Sequence, residues 1–178
     1  MTYDANEYDL ALTYYKKALD IDQNTLNLNQ SGIAVDYNSI GLVYKKQKRY
    51  REALEMYEKS LEIRLKIFPY NHSSISTSYN NIAMIYSAQR NYTKAIEHLQ
   101  KTLEIQLNSL PPHHPSLAIT YQNLSMAYDR RHQMKQALDY MKKAHQIDVK
   151  TLPTDDPKLV QDEEWITEVE KRLLEMES

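Results

Sequence analysis

Cysteine is absent from the 178 residues, and glycine occurs only twice, as Gly32 and Gly41. Without a thiol the chain forms no disulfide, no thiolate zinc site and no cysteine nucleophile. Two glycines cannot build a phosphate-cradling loop or the many tight turns of a sandwich or barrel. Charge of one sign is lacking too. The 22 basic and 24 acidic residues leave a net charge of −2, with no bulk attraction to nucleic acid or an acidic membrane. Uncharged runs such as Ser39 to Tyr44 are far too short to cross a bilayer, and Met1–Glu7 lacks the basic start and apolar stretch of a secretory leader. Three glycosylation sequons, at Asn71, Asn91 and Asn123, read as chance matches in a chain rich in Asn, Ser and Thr. These features predict an all-α cytoplasmic chain with no partner among nucleic acids or membranes.

Tyrosine, with fifteen copies, is abundant, and it reveals a period. Tyr37, Tyr79 and Tyr121 are spaced by 42 residues, as are Tyr44, Tyr86 and Tyr128. Six tyrosines at six such positions arise by chance with a probability on the order of 10⁻⁷. Other columns keep the register: Ala11, Ala53, Ala95 and Ala137; Ile21, Ile63, Ile105 and Ile147; Ile40, Ile82 and Leu124; and the small residues Gly41, Ala83 and Ser125. Each unit reads as two helices. Apolar or tyrosine side chains at 33, 37, 40 and 44 give helical spacing, and predict first helices over 33–47, 75–89 and 117–131. Second helices are predicted over 50–67, 92–109 and 134–151, each stopped by a prolyl loop at Pro69, Pro111-Pro112 or Pro153. Pro115 and Pro157 suit a first helical turn; Asp156 before it is a good cap, and His114 a poor one by chemistry. The small column is expected to face the alanine column across each hairpin, with the tyrosines filling the gap between one hairpin and the next. Hairpins that cannot bury their own apolar face must stack, which predicts a right-handed α-solenoid.

The two-helix unit, with tyrosine, a small residue and tyrosine on one helix and tyrosine-x-x-alanine opening the other, resembles the tetratricopeptide repeat. The stretches Pro111-Pro112-His113-His114-Pro115-Ser116-Leu117-Ala118, Tyr121-Gln122-Asn123-Leu124 and Tyr79-Asn80-Asn81-Ile82-Ala83-Met84-Ile85-Tyr86 resemble the long repeats of kinesin light chains. The resemblance covers residues 8 to about 160. Where the family often has glycine between paired helices, this chain has Lys48, Arg90 and His132. A left-handed residue other than glycine costs about 1 kcal/mol, so strained or reshaped turns are expected. The coiled-coil heptads that precede a kinesin light chain array are absent.

The register divides the chain into the second helix of a truncated repeat (1–27), three repeats (28–69, 70–111 and 112–153) and an acidic capping helix (154–178). The uncovered face of the first segment suggests weak self-association through residues 8–26. In the cap, Leu159, Ile166, Val169 and Leu173 are expected to face inward, with Glu163 and Glu170 at the repeat's tyrosine positions and a polar outer face.

No catalytic constellation is present. The six histidines show no metal-helix spacing, the acidic residues are expected on exposed faces beside lysines, and no nucleophile elbow occurs. No enzyme, metal or cofactor is expected. The candidate site is instead a groove on the first helices. Its residues are Asn38, Leu42 and Lys45; Asn80, Asn81 and Met84; and Gln122, Asn123, Met126 and Arg130. Amides both donate and accept, so they can hold a peptide backbone of any sequence, while Leu and Met offer adaptable apolar contact. Lys45 and Arg130 would favour an acidic peptide. The resemblance implies that the asparagines at 81 and 123 contact a ligand backbone. It also implies that a carboxylate clamp is missing, since Asn38, Asn80 and Gln122 stand where clamp lysines would be. The expected function is a non-catalytic scaffold for a protein or peptide partner, as in cargo or adaptor recognition. The alternative is a spacer or assembly segment of a larger protein whose enzyme or signalling domain lies elsewhere.

Overall fold

The computed structural model describes residues 3–24 and 29–177. The end of the 8–26 segment and the 27/28 boundary lie outside the described residues. Eight helices follow one another: α1 (Tyr3–Asn24), α2 (Gln30–Lys46), α3 (Tyr50–Ile67), α4 (Ser73–Ala88), α5 (Tyr92–Ser109), α6 (Pro115–Asp129), α7 (Met134–Thr151) and α8 (Pro157–Glu177). Helices α2–α3, α4–α5 and α6–α7 form three antiparallel hairpins, and each helix packs on its chain neighbours to build a solenoid.

The second helices start and stop at the predicted residues. The first helices begin two to three residues earlier than the apolar periodicity indicates, because their caps lie upstream of it. Asn29 Oδ1 accepts from the Gly32 amide at 3.0 Å. His72 and His114, 42 residues apart, each use Nδ1 to accept a backbone amide, from Ser74 and Ser116, at 3.2 Å. His114 is therefore a working cap, contrary to the expectation from residue type: an unprotonated imidazole nitrogen accepts as a carboxylate would. Asp156 completes the column, taking the Lys158 amide at 2.9 Å.

The turns inside the hairpins close without glycine. Lys48, Arg90 and His132 lie in the left-handed region, at φ of 59°, 60° and 57°. In the first turn the Arg49 amide bonds Tyr44 carbonyl at 2.8 Å and the Lys48 amide bonds that of Lys45 at 2.9 Å. The same pair of bonds recurs around Arg90 and His132. This is the Schellman arrangement, which satisfies helix-end carbonyls and demands a left-handed residue at this place.

The small column does meet the alanine column. A Cβ on Gly41 would stand 2.9 Å from the Tyr57 ring and 3.3 Å from Ala53 carbonyl. Ser125 Oγ donates to the carbonyl of Ala137 at 2.8 Å. Ala53, Tyr57, Ile82, Leu99 and Leu124 are wholly buried, and one apolar cluster runs from Leu12 on α1 through Ile40 and Tyr57 to Ile85 and Ala95. Each wholly buried Leu or Ile contributes about 2 kcal/mol by leaving water.

The tyrosine stripe meets the preceding hairpin, as expected: Tyr79 shares a core cluster with Leu61 and Phe68, and Tyr128 packs against the cluster of Ala83, Ile96 and Leu99. Its rings also meet aromatic rings inside their own hairpin. Tyr79 and Tyr86 on α4 flank the His98 ring on α5, at 5.8 and 5.5 Å between centroids. Tyr121 and Tyr128 on α6 flank Tyr140, 42 residues after His98, at 6.1 and 5.4 Å. Two hydroxyls also bond toward the preceding helices: Gln23 donates to Tyr37 at 3.1 Å and Gln100 to Tyr128 at 3.3 Å. In each trio one pair is stacked, Tyr86–His98 at 21° and Tyr128–Tyr140 at 11° between planes, and the other is tilted, both favourable arrangements of neighbouring rings.

Polar residues also hold the hairpins together. Arg64 on α3 is buried and donates to Ser74 carbonyl (2.8 Å) and to Ser78 Oγ (2.9 Å) on α4. One repeat later, Thr120 Oγ1 donates to Gln106 Oε1 at 2.7 Å. After another repeat the two positions are Asp148 and Asp162, both buried. Lys158 pairs with Asp148 at 2.7 Å. The expectation that acidic residues occupy exposed faces fails here, because the two positions continue a buried polar column. Nor is the outer face of α8 wholly polar: Val160, Leu174 and Met176 are exposed on it, while Leu159 and Val169 point inward as expected.

Candidate functional site

Side chains on α2, α4 and α6 that point away from the hairpin cores share one face of the solenoid. Each of these helices spends its apolar residues on the helices before and after it in the chain, and the remaining stripe is available. Between α4 and α6 this face is indented by a cavity of about 390 Å³. Met84, Asn123, Met126 and Arg130 line it, together with Ser87, Arg90 and Tyr92. Four of the ten residues singled out from the sequence thus come together. Met126 is exposed, while Met84 and Asn123 are half-buried. Arg90 projects from the left-handed turn after α4, and Arg130 caps the carboxyl end of α6. Neither guanidinium makes an ion pair among the described residues. A cation at a helix carboxyl end is favoured by the partial negative charge there.

The other six residues are distributed. Asn80 lines a smaller cavity of about 210 Å³ with Thr77, Gln106, Ile119 and Thr120. Asn81 Nδ2 donates to Asn38 Oδ1 at 2.9 Å, tying α4 to α2. That rung of the expected amide ladder is partly used within the protein. Gln122 turns the other way and donates to Asp148 Oδ2 on α7 at 3.0 Å, joining the buried polar column. Leu42 is exposed and Lys45 half-buried, outside both cavities. Burial, and secondarily Lys46, holds the Lys45 ammonium below its ordinary pKa.

Arg90 and Tyr92 were not among the candidates. Arg90 reads from the sequence as a turn residue and Tyr92 as a helix start, and only the fold brings both to the cavity rim. The buried pair Asp148–Asp162 was also missed, although the register places it beneath Arg64–Ser78 and Gln106–Thr120. Burial raises the Asp162 carboxyl above its ordinary value, against the opposing pull of Lys158. His98, between its two tyrosines, is held below its ordinary value by burial and then by Lys101.

Among the described residues no group of three or more His, Asp or Glu side chains is placed to hold a metal, and no helix is long and apolar enough to cross a membrane.

The family model for the tetratricopeptide repeat matches residues 2–66 and 74–148. Curated proteins yield no match. Among solved structures, the kinesin light chain-like repeat protein of Podospora anserina superposes with a TM-score of 0.78 at 22% identity, over 95% of this chain and 81% of that one. BtubC from P. vanneervenii gives 0.83 at 23% identity, over 93% and 66%. The apo form of RapI gives 0.73 at 25% identity, over 84% of this chain and 52% of that one. The chain belongs to the tetratricopeptide repeat family, and its solenoid is of the kinesin light chain-like kind.

Proposed function

We propose that this chain is a non-catalytic interaction scaffold that lays a partner peptide, extended or helical, across α2, α4 and α6. The observation that carries the reading is the α4–α6 cavity, which unites two methionines, an amide and two unpaired guanidiniums. Met84 and Met126 can reshape around an apolar side chain. Asn123 can donate to and accept from a peptide backbone. Arg90 and Arg130 favour acidic residues beside the apolar anchor, through charge complementarity that also speeds encounter. Cargo or adaptor recognition fits such a surface, as does any peptide with one bulky apolar residue in an acidic context.

The test is titration of labelled peptides, selected on an array, against wild type, Asn123→Ala and Arg130→Glu. Each substitution is expected to weaken binding by about tenfold, the loss of roughly one charge-assisted or bidentate contact. The melting temperature should stay unchanged in Asn123→Ala, whereas Arg130→Glu should melt a few degrees lower because it places an anion at the carboxyl end of α6. Equal affinity in all three proteins would remove the cavity from the mechanism.

A further inference from the structure

The near-neutral charge of the whole chain hides a polarity. The turns inside the three hairpins, taken as 45–52, 87–94 and 129–136, hold ten basic and two acidic residues. The rest of the chain holds twelve basic and 22 acidic ones. The loops between hairpins, 68–72, 110–114 and 152–156, hold no lysine or arginine. The basic turns share one edge of the solenoid. Tyr44 and Tyr50, on either side of the first turn, pack in one core cluster with Ile85 and Tyr86, just before the second. Arg90 of the second turn and Arg130 of the third line one cavity. Much of this charge is unspent. Lys46, Arg51, Arg90, Arg130 and Arg131 are exposed and make no ion pair among the described residues. Of the acidic groups at this edge, Glu52 pairs with Arg49 at 2.9 Å, Asp129 is half-buried, and Asp9 of α1 accepts from Gln47 Nε2 at 3.1 Å.

We propose that this edge holds an acidic segment of a partner protein, in the same chain as the apolar side chain seated in the α4–α6 cavity. The proposal rests on that cavity as the anchor. It adds where the partner's acidic residues lie: over the hairpin turns, from the end of α6 past α4 to α2. Charge complementarity selects an anion. Two observations select a protein segment over other polyanions. The first is continuity. Arg90 and Arg130 belong both to the basic turns and to a cavity lined by Met84 and Met126, so a ligand that uses both carries an apolar side chain beside its charge. The second is that the rings ending α2 and α4 are already covered. Tyr44 and Tyr86 are 8% and 9% exposed, and Arg49 and Lys94 lie over them at 4.3 and 5.1 Å. They offer no open face on which a nucleic acid base could stack. Asn81 bonded to Asn38 shows that α4 and α2 stand side by side, as the shared cavity shows for α4 and α6. Packed helices lie about 10 Å apart and an extended chain advances about 3.3 Å per residue, so a run of about six acidic residues reaches from the third turn to the first.

Fluorescence anisotropy on the full chain tests this with two labelled synthetic peptides. One carries a phenylalanine flanked on each side by about six glutamates, and the other has glutamines in their place. Wild type should bind the glutamate peptide about tenfold more tightly in about 0.05 M salt, and the preference should vanish in about 0.5 M salt. Lys46→Ser/Arg51→Ser, on the first turn and outside the cavity, should weaken the glutamate peptide by about fivefold and leave the glutamine peptide unchanged. Arg131→Ser, on the third turn, serves if the double variant melts early. No glutamate preference in wild type, or equal binding of the glutamate peptide by wild type and these variants, would overturn the proposal and leave the cavity standing. Asn123→Ala that weakens neither peptide would overturn the cavity reading and this placement with it. Oligothymidylate or phosphatidylserine vesicles bound more tightly than the glutamate peptide, and weakened by the same variants, would assign the edge to nucleic acid or membrane and overturn the proposal too.

Discussion

Three residues carry the same backbone burden. Lys48, Arg90 and His132 each hold a left-handed conformation that a Cβ disfavours by about 1 kcal/mol or more. Their amides and those that follow them close the helix ends, so the conformation is required by the hydrogen bonds and not by the side chain. Lys48→Gly and His132→Gly should therefore stabilise the protein by about 1 kcal/mol each, and by nearly the sum together, since the turns are a repeat or more apart. Urea unfolding with an unchanged slope would register this; no gain would mean that the side chains contribute contacts that offset the strain. These turns were legible in the sequence as departures from a family pattern. The histidine caps were not, because residue type alone ranks His114 low while the fold aims its Nδ1 at an amide.

At the scale of elements, the α7–α8 contact is the one whose polar column changes sign. Arg64–Ser78 and Gln106–Thr120 are matched pairs, whereas Asp148 and Asp162 place two carboxylates around one ammonium. The raised Asp162 pKa means that the folded state binds a proton more readily than the unfolded state. Its ionised form thus opposes folding above that raised value, and the penalty fades as pH falls through it toward the ordinary value of 3.8. Asp162→Asn is expected to raise the melting temperature by a few degrees at pH 7 and to give no gain at pH 3. A gain independent of pH would point to packing instead. The second helices were readable to the residue, since Tyr50, Tyr92 and Met134 open them and the prolyl loops end them. The direction of each groove amide was not. Asn81 finds its acceptor 43 residues away and Gln122 its acceptor 26 residues away, on neighbouring helices that local periodicity does not orient.

The whole molecule behaves as a short one-dimensional array. Interior helices α4 and α5 are covered on both sides, while α1 and α8 each pack on a single neighbour among the described helices. Stability in such a stack is close to a sum of units and nearest-neighbour interfaces, so opening should start at the ends. Amide exchange in α4 and α5 should be slower than in α1 and α8 by about tenfold or more. Uniform protection along the chain would show a single cooperative unit. The period itself was legible because no insertion breaks the register, and so was the α-solenoid that follows from it. Which faces remain open needed the packing, since Val160 and Leu174 look like core residues in an isolated helix.

One turn residue belongs to two accounts. Arg90 holds the left-handed conformation that closes α4, and its guanidinium stands at the rim of the α4–α6 cavity. A glycine there would relax the backbone and discharge the rim in one step. Robustness and recognition are thus traded against each other at position 90, whereas at position 48 the same exchange leaves that cavity untouched.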